Sequence, residues 1–504
     1  MDLWTMTITA ACIVMGFLIW QQRSLWVGRK LPPGPYGLPF FGKLFGMSAN
    51  PPVQLKLWSE IYGKIISVRL GRNLFVAVHD FEVAKSILHK DVITGRDALD
   101  VMNVLHEGQG LVMGEGDRYR EHRRFALTAL RDVGMGKSWL EQSVLAEVSD
   151  LIALIDRSGA KPLNLRPHMT QSVSNMICAL VFGKRFSLGD ATFNKLCNNV
   201  GINLQLMSEV QPVRALPFLK YVPFGKLAQK WRTLKANIQS NRTFIESLID
   251  DHKQGHATGH NGGTSNMDYI HRFLDERAAQ LAEKGETTFD DEQLYYSVVG
   301  LFGGGTETTT TTVLWALIYM VLHPNIKKRV QDEIDAVVTA NQQVRLEHRG
   351  LLRYTEATIL EVQRLASAFP LNGARRTNFE DMEIGGFHVP ARSIIVVNTY
   401  AIHRDPKYWP DPLQFNPERF LDPVTGNVKN PPGFLPFGIG KRSCIGEPLA
   451  KMEVYIFFAN IMKDFDFQPV GAFNVDPENF SKASTVIRAP LNFELQFARR
   501  TVVA

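Results

Sequence analysis

The ten residues from Phe437 to Gly446 constrain this chain more than any other stretch. They place Cys444 in a glycine-punctuated turn, two residues after an arginine and just before an apolar pattern of helical spacing. Glycine permits tight backbone bends, and Pro448 suits the first turn of a helix. The helix dipole favours a thiolate at a helix N-terminus. The segment therefore predicts a thiolate at Cys444; the alternative is a buried cysteine in a turn.

The pattern FxxGxRxCxG in this segment resembles the haem-ligand loop of the cytochrome P450 family. The resemblance implies that Cys444 is the axial ligand of a haem iron and that Phe437 packs against the haem on the thiolate side. An axial thiolate pushes electron density onto the iron and favours O–O cleavage. It also implies a single globular haem domain rather than several domains.

Helical patterns dominate the 504 residues, and strand-like runs are short. The clearest helical patterns cover Val144–Ile155, Leu227–Asp250, Glu292–Leu322 and Asn325–Val338, and the strand-like runs cover Ile65–Leu70, Leu74–Val78, Ile394–Val397 and Leu491–Phe497. We therefore predict a mainly α protein with small β-sheets, which agrees with the fold that the resemblance implies.

A second motif lies inside the longest helical pattern, where glycines at 303–305 precede Thr306, Glu307, Thr308 and Thr309. Each mid-helix glycine costs about 1 kcal/mol relative to alanine, so the tract suggests a kink or the close approach of a flat group. The segment resembles the oxygen-activating motif of the family. That resemblance implies that Thr308 hydrogen-bonds bound dioxygen and that Glu307 helps to relay protons to it. The alternative is a polar patch whose threonines bond back to helix carbonyls.

Glu361 and Arg364 stand three residues apart, a spacing at which two side chains on a helix can pair. The segment 417–420, which contains Arg419, follows them before the cysteine. This order resembles the ExxR and PERF pair of the family. It implies a buried ion network of Glu361, Arg364 and Arg419 that locks the haem-loop region and has a structural role.

A haem carries two propionates, which call for cationic partners. Tyr119 and Arg123 resemble the WxxxR helix of the family, with tyrosine in place of tryptophan. The resemblance implies that Arg123 binds a propionate and that Tyr119 can donate a hydrogen bond through its hydroxyl. Arg375 stands where the family has another propionate ligand, with the adjacent Arg376 as the alternative. Arg442, two residues before the cysteine, completes the set.

The N-terminal run from Leu3 to Trp20 carries no charged residue and is nearly long enough, at about 1.5 Å per residue, to span a hydrocarbon core of about 30 Å. Basic residues follow the run rather than precede it, and no small-residue cleavage pattern accompanies it. We therefore predict an uncleaved transmembrane anchor rather than a signal peptide, with the large domain in the cytosol.

Three regions follow from this reading: a membrane anchor over residues 1–28, a basic, proline-rich hinge over 29–36, and the haem-thiolate monooxygenase domain over 37–504. The hinge resembles that of the microsomal members of the family. The resemblance implies a single-pass protein of the endoplasmic reticulum membrane, and the closest tracts resemble a clan with vertebrate drug- and steroid-metabolising members and arthropod relatives.

The net charge of +6 is mild, and no long basic run concentrates it, so we expect no nucleic-acid partner. The chain has no nicotinamide or flavin motif, so electrons must come from a partner. In microsomal relatives this is NADPH–cytochrome P450 reductase, sometimes with cytochrome b5. Five residues are candidates for a basic docking face on the thiolate side; the alternative is ordinary solvated surface. They are Arg118, Arg120, Arg124, Arg131 and Lys441.

The resemblance implies oxygen insertion from O2 into a small molecule, and the mostly apolar candidate pocket segments indicate that this molecule is lipophilic. These segments are Val101–Leu111, Asn203–Val210, Gly300–Gly304, Leu371–Ala374 and Ser484–Val486. Two alternatives are a haem-thiolate isomerase or dehydratase that needs no external electrons, and a non-catalytic haem protein that binds a ligand. The pair Glu307 and Thr308 argues against the isomerase or dehydratase, and the basic face and intact proton relay argue against the ligand-binding protein.

Overall fold

Helices account for most of the regular secondary structure in the described part of the computed structural model. The structure describes residues 30–38, 41–43, 46–48, 50–71, 73–96, 103–136, 138–187, 189–210, 212–213, 219, 221–222, 224–257, 268–372, 375–376, 380–471, 473, 475–481 and 486–500, together with residues 4, 9 and 16. In these residues, the prediction of a mainly α fold with small β-sheets is confirmed.

The first helices in chain order are α1 (Pro51–Tyr62), α2 (Phe81–Leu88), α3 (Asn103–His106), α4 (Gly110–Met113), α5 (Gly116–Val133), α6 (Ser138–Ser158), α7 (Arg166–Phe182) and α8 (Ala191–Glu209). They are followed by α9 (Gly225–Ala257), α10 (Tyr269–Lys284), α11 (Asp291–Leu322), α12 (Pro324–Val337), α13 (Arg353–Ala366), α14 (Thr399–Ile402) and α15 (Glu447–Asp464). Short 3₁₀ turns at Pro417–Phe420 and Gly440–Arg442 precede α15.

The strands are β1 (Ile65–Leu70), β2 (Asn73–Val78), β3 (Arg375–Arg376), β4 (Met382–Ile384), β5 (Phe387–Val389), β6 (Ile394–Val397), β7 (Phe465–Pro469) and β8 (Leu495–Arg499). One sheet has the order β1-β2-β6-β3, in which β2 and β6 are parallel and the other two pairs antiparallel. The pairs β4–β5 and β7–β8 form two separate antiparallel sheets.

Helix α11 is the central element of the core. It is buried on nearly all sides and packs against α4, α7, α13 and α15. A helix that is apolar around most of its circumference belongs in the interior of a large domain. The side chain of Asp290 caps its first turn by accepting a hydrogen bond from the backbone of Gln293, and Pro324 begins the next helix immediately after it ends. This position carries the glycine tract into the middle of the protein.

The four helical patterns predicted from the sequence lie within α6, α9, α11 and α12, with small differences at the ends. Three strand-like runs coincide with β1, β2 and β6. The fourth was placed too early: β8 begins at Leu495, not at Leu491. Its partner β7 ends at Pro469, which faces Leu495 and has no backbone N–H with which to extend the ladder.

The described part of the predicted hinge is attached to the domain. The backbone of Ser67 donates to the carbonyl of Pro33 at 2.8 Å, and its hydroxyl donates to the carbonyl of Pro32 at 2.7 Å. The backbone of His388 donates to the carbonyl of Lys30 at 2.8 Å. Residues 30–33 therefore lie along the edges of β1 and β5.

The predicted anchor lies outside the described residues, apart from Trp4, Thr9 and Gly16. In the portion of the chain that the structure covers, no helix has the length and apolar character needed to cross a membrane. The anchor over residues 1–28 therefore stays a prediction.

The ion network predicted around Glu361 is confirmed. Arg364 donates to both carboxylate oxygens of Glu361 at 2.7 and 2.8 Å, and both side chains are completely buried. Arg364 also donates to the carbonyl of His403 at 2.6 Å. Arg419 reaches the same carboxylate at 3.3 Å. The buried charges are therefore both paired and hydrogen-bonded, the condition under which such burial is tolerated.

Removing one partner of this network should be far more damaging than removing a surface ion pair. We expect Arg364→Gln to lower the free energy of unfolding by about 3–5 kcal/mol, because the Glu361 carboxylate is left buried without its main partner. Loss of haem content and a lower thermal midpoint would report this. The matched control is Lys328→Gln, which breaks an exposed pair with Asp332 on α12 and should change stability by less than about 1 kcal/mol. Equal effects of the two substitutions would contradict a locking role for the network.

Candidate active site

The loop that carries Cys444 is shaped by two glycines. Gly438 and Gly440 have φ angles of +66° and +77°, in the left-handed region. A Cβ on Gly440 would lie 2.1 Å from the carbonyl oxygen of Leu88, and one on Gly438 would lie 2.7 Å from a side-chain atom of Asn372. The loop closes where the backbone N–H of Cys444 donates to the carbonyl of Phe437 at 2.9 Å.

The side chain of Cys444 faces an internal cavity of about 390 Å³. Its surface is exposed to this cavity, although the group lies deep enough that burial raises the pKa of its thiol. Backbone groups of Gly446 and Glu447 act in the opposite direction without cancelling that shift. Desolvation of the free thiol therefore outweighs the effect of the N-terminus of α15, which begins at Glu447. Coordination to a metal ion deprotonates a thiol outright.

The cavity lies between the Cys444 loop and α11. Phe437, Arg442 and Cys444 contribute to one wall, and Gly303, Gly304 and Thr308 contribute to another. All five pocket segments predicted from the sequence contribute to it, through residues that include Leu105, Asn203, Gly300, Asn372 and Val486. Most of the lining is apolar, as predicted.

Open space follows the glycine tract of α11. A Cβ built on Gly303 or Gly304 would meet no neighbouring atom within 4 Å. The helix remains regular through residues 303–305, so the glycines do not interrupt it. The cavity that Cys444 faces therefore extends to the backbone of α11 at these glycines. A flat group can approach the helix there.

Thr308 is the predicted catalytic residue that lines the cavity. Its hydroxyl donates to the carbonyl of Gly304 at 2.7 Å, as Thr306, Thr310 and Thr312 do to the carbonyls one turn before them. This is the back-bonding pattern of the alternative interpretation. Since the hydroxyl proton is used in that bond, the oxygen lone pairs of Thr308 are left to accept a hydrogen bond from the cavity.

Glu307 does not line the cavity in this structure. Its carboxylate accepts a hydrogen bond at 2.9 Å from Arg166, at the start of α7, and both side chains are largely buried. Arg166 also donates to the carbonyl of Pro490 at 3.1 Å. Sequence reasoning missed Arg166 because it belongs to no motif and lies 141 residues from its partner.

The predicted cationic residues meet beside the loop. The guanidinium of Arg442 stacks on the ring of Tyr119, 3.3 Å from its centroid, and donates to the carbonyls of Thr94 and Gly114. Arg123 donates to the carbonyl of Ser443 at 2.6 Å and to the hydroxyl of Tyr119 at 3.3 Å. The structure thus brings Tyr119, Arg123 and Arg442 together next to Cys444.

The positive charges of this cluster favour the binding of an anion. Burial lowers the pKa of Arg442 to about 9, and the positive charges of Arg96 and Arg123 contribute in the same direction. A carboxylate at the cavity wall would relieve the repulsion among these guanidinium groups. A haem propionate carries such a carboxylate. Arg96 was missed because it too lies outside any motif. The backbone of Arg375 forms β3, while its side chain lies outside the described part, so its role stays a prediction.

Glu453 of α15 is a further cavity residue that sequence reasoning missed. It is almost fully buried, and burial raises the pKa of its carboxyl well above the ordinary value, with the neighbouring Thr309 hydroxyl opposing the shift only in part. Burial therefore favours the neutral form of this carboxyl. Its signal in the sequence is an acidic residue directly before the apolar run Val454–Ala459.

Comparison with known proteins agrees with this geometry. The family model described as Cytochrome P450 matches residues 32–497. The chain is 36% identical to Cytochrome P450 2J5 of Mus musculus over 92% of this chain and 90% of that protein. It is 34% identical to Cytochrome P450 2J2 of Homo sapiens, with 88% and 86% covered, and 32% identical to Cytochrome P450 18a1 of Drosophila melanogaster, with 92% and 88% covered.

The chain therefore belongs to the cytochrome P450 family. It is a haem-thiolate monooxygenase, and its cofactor is a haem bound through a cysteine thiolate. Both vertebrate and arthropod relatives are among the matches, as the sequence predicted. The cavity-facing cysteine, the open glycine tract and the cationic cluster are the features of this structure that fit that cofactor.

The neutral carboxyl of Glu453 predicts a particular pH dependence of stability. The folded state keeps a proton that the unfolded chain releases above its ordinary pKa of 4.5, so the free energy of unfolding falls as pH rises toward the raised pKa. The slope from one such group is at most about 1.4 kcal/mol per pH unit. Glu453→Gln removes the carboxyl that retains this proton in the folded state.

We therefore expect the thermal midpoint of Glu453→Gln to rise relative to that of the parent protein as the pH is raised above the ordinary carboxyl pKa of 4.5. Glu283→Gln, which removes an exposed carboxylate on α10, is the control and should show a constant difference. A constant difference for Glu453→Gln as well would mean that its carboxyl is ionised in the folded protein.

Proposed function

We propose that this protein is a membrane-bound monooxygenase of the endoplasmic reticulum that inserts one oxygen atom from O2 into a lipophilic small molecule, with electrons from NADPH delivered by a partner reductase. The single observation that carries the proposal is the cavity, which exposes Cys444 and Thr308 to one apolar space. Apolar walls remove a lipophilic substrate from water and exclude water from the reacting groups.

Each site residue then has a distinct role. Cys444 would hold the haem iron through its thiolate, and the haem would supply the electron-rich metal that favours O–O cleavage. Arg442, Arg123 and Arg375 would bind the haem propionates, Tyr119 holds the two guanidinium groups that it contacts, and Phe437 would pack against the haem. The loop glycines fix the direction in which the Cys444 side chain points.

Thr308 and Glu307 serve proton delivery in this proposal. The oxygen of Thr308 accepts a hydrogen bond on the cavity side while its own proton remains on the Gly304 carbonyl, which orients the acceptor. Glu307 supplies protons although its carboxylate does not line the cavity. Its ion pair with Arg166 must break so that the carboxylate can transfer a proton. Arg166 is a positioning residue, because it acts only through Glu307.

The basic face proposed for the reductase is partly neutralised. Arg118 pairs with Asp290 at 2.5 Å, Arg120 with Asp117, and Lys441 with Asp91 at 3.4 Å. Arg124 and Arg131 are exposed on α5, the helix that also contacts the Cys444 loop through Arg123. These two are the residues that we propose steer an acidic redox partner to the thiolate side, with cytochrome b5 as a second candidate.

Reconstitution with NADPH–cytochrome P450 reductase tests this proposal. We expect NADPH and O2 consumption that depends on the reductase and increases with a lipophilic substrate, and a product that contains one atom of ¹⁸O from ¹⁸O2. Turnover without the reductase would favour an isomerase or dehydratase. Ligand binding without turnover in any condition would favour a non-catalytic protein, and either result would overturn the proposal.

Thr308→Ala should uncouple the reaction rather than stop it. Without the oriented hydroxyl, reducing equivalents leave as hydrogen peroxide, so NADPH consumption continues while product falls by about 10²–10⁴-fold in the assisted step. Product, peroxide and NADPH should be measured together. Thr310→Ala removes a back-bonding threonine that does not line the cavity and is the control. If both variants lower stability but leave product per NADPH unchanged, Thr308 is a packing residue.

The ion pair offers a separate test of Glu307. Glu307→Gln should slow the whole cycle because it removes the proton source. Arg166→Gln should raise the rate of proton transfer or lower stability, but it leaves the carboxylate in place. Equal losses of activity and stability in both variants would indicate that Glu307 serves only as a structural partner of Arg166.

Deletion of residues 1–28 should release the protein from membranes in part and leave haem incorporation intact. Partial release is expected because large apolar side chains remain exposed at Tyr36, Leu38, Ile61 and Phe224. The measurement is the fraction recovered in the supernatant after high-speed centrifugation, with and without salt. A truncated protein that fails to bind haem would place this segment within the fold.

A further inference from the structure

A cluster of ligand-type side chains outside the cavity lies where α9 meets α10. It consists of His252 on α9, Asp268 at the N-cap of α10, and His271 in the first turn of α10. One ligand atom from each residue lies within 4.8 Å of the others. Over the described residues, this is the one group of three histidine, cysteine, aspartate or glutamate side chains that converges so closely.

Both imidazoles approach the same carboxylate oxygen. Nε2 of His252 and Nδ1 of His271 each lie 2.9 Å from Oδ2 of Asp268. The other oxygen, Oδ1, is occupied, because it accepts the backbone N–H of His271 at 2.9 Å and so caps α10. This cap fixes the carboxylate with Oδ2 turned toward the two rings, and Asp268 itself is almost fully buried.

Two hydrogen bonds fix the orientation of the His252 ring in the cluster. Nδ1 of His252 lies 2.6 Å from the carbonyl oxygen of Leu248, which can only accept, so this nitrogen carries the proton. Nε2 of His252 is in hydrogen-bond contact with Oδ2 of Asp268, to which it donates when protonated, and it presents a lone pair there only when the imidazole is neutral. Nδ1 of His271 is buried and lies 2.9 Å from Oδ2 of the same carboxylate. The buried carboxylate favours a positive charge among these three atoms, which either a proton on Nε2 of His252 or a metal ion supplies.

We propose that His252, Asp268 and His271 bind a divalent transition-metal ion, for which zinc is the best match. Zn²⁺ takes two imidazole nitrogens and a carboxylate oxygen at about 2.0–2.2 Å, with water completing a tetrahedron. That geometry separates ligand atoms by about 3.3–3.5 Å. The observed separations, from 2.9 Å to no more than 4.8 Å, bracket this value, so small side-chain movements suffice.

The residues around the cluster also support a metal site. The Leu248 carbonyl orients His252 in the way that backbone carbonyls orient metal-ligating histidines. Gly183, which ends α7 with a φ of +63°, leaves room beside Oδ2, since a Cβ there would lie 2.8 Å from that oxygen. Lys184 is the neighbouring cation that opposes the site, because its charge acts on His252. A bound ion would join α9 to the start of α10.

Zinc binding should be measured on the haem-loaded protein, so that Cys444 is not available as a competing ligand. Equilibrium dialysis against chelator-buffered zinc should give one ion per chain and a higher thermal midpoint. His252→Gln and His271→Gln should each weaken binding by at least about tenfold. Lys184→Gln should strengthen it. The haem-thiolate spectrum of each variant reports whether the fold is retained.

The matched control is His256→Gln. His256 lies one turn further along α9 and pairs with Asp275 at 3.0 Å, in a more exposed setting. This variant should bind zinc like the parent protein. If the parent protein binds no zinc, or if both His252→Gln and His271→Gln bind it as tightly as His256→Gln does, the proposal is overturned and the cluster is only a helix cap with an ion pair.

Discussion

The backbone path of the Cys444 loop is the constraint on which the rest of this site depends. Two glycines with positive φ press the loop against the carbonyl of Leu88 and the side chain of Asn372, where no Cβ fits. This path turns the side chain of Cys444 into the cavity and brings the carbonyl of Ser443 to Arg123. The ligand direction and the position of the cationic cluster therefore follow from the same local geometry.

The buried ion network extends this constraint to the loop through one histidine. Arg364 donates to the carbonyl of His403, and the backbone N–H of Leu435 donates to Nε2 of the same residue at 2.9 Å. Burial lowers the pKa of His403 well below its ordinary value, and the charges of Arg364 and Arg404 add to that effect. His403 is therefore neutral, with its proton on Nδ1, because Nε2 must accept. A structural ion pair on α13 thus fixes the segment that leads into the Phe437 turn.

The sequence predicted those parts of the site that short-range patterns determine. The loop, the buried pair on α13 and the long helices follow from glycine positions, i to i+3 spacing and apolar periodicity, and the structure places them accordingly. The β4–β5 hairpin was missed although Gly385 and Gly386 mark its turn, both with positive φ. Contacts between distant segments could not be predicted: Arg166 reaches Glu307 and Arg96 approaches Arg442 only because of how the helices pack. The burial that raises the pKa of the free Cys444 thiol could not be predicted for the same reason, since burial is not a local property.

The most direct test of the central claim is the Soret band of the reduced carbonyl complex. With Cys444 as the axial thiolate, the parent protein shows a red-shifted band, and Cys444→His should abolish it while some haem is retained. Cys178→Ser and Cys197→Ser are the controls, because both thiols are buried away from the cavity wall and should leave the band unchanged. A Cys444→His protein that keeps the red-shifted band would show that another residue supplies the thiolate, which would contradict this account.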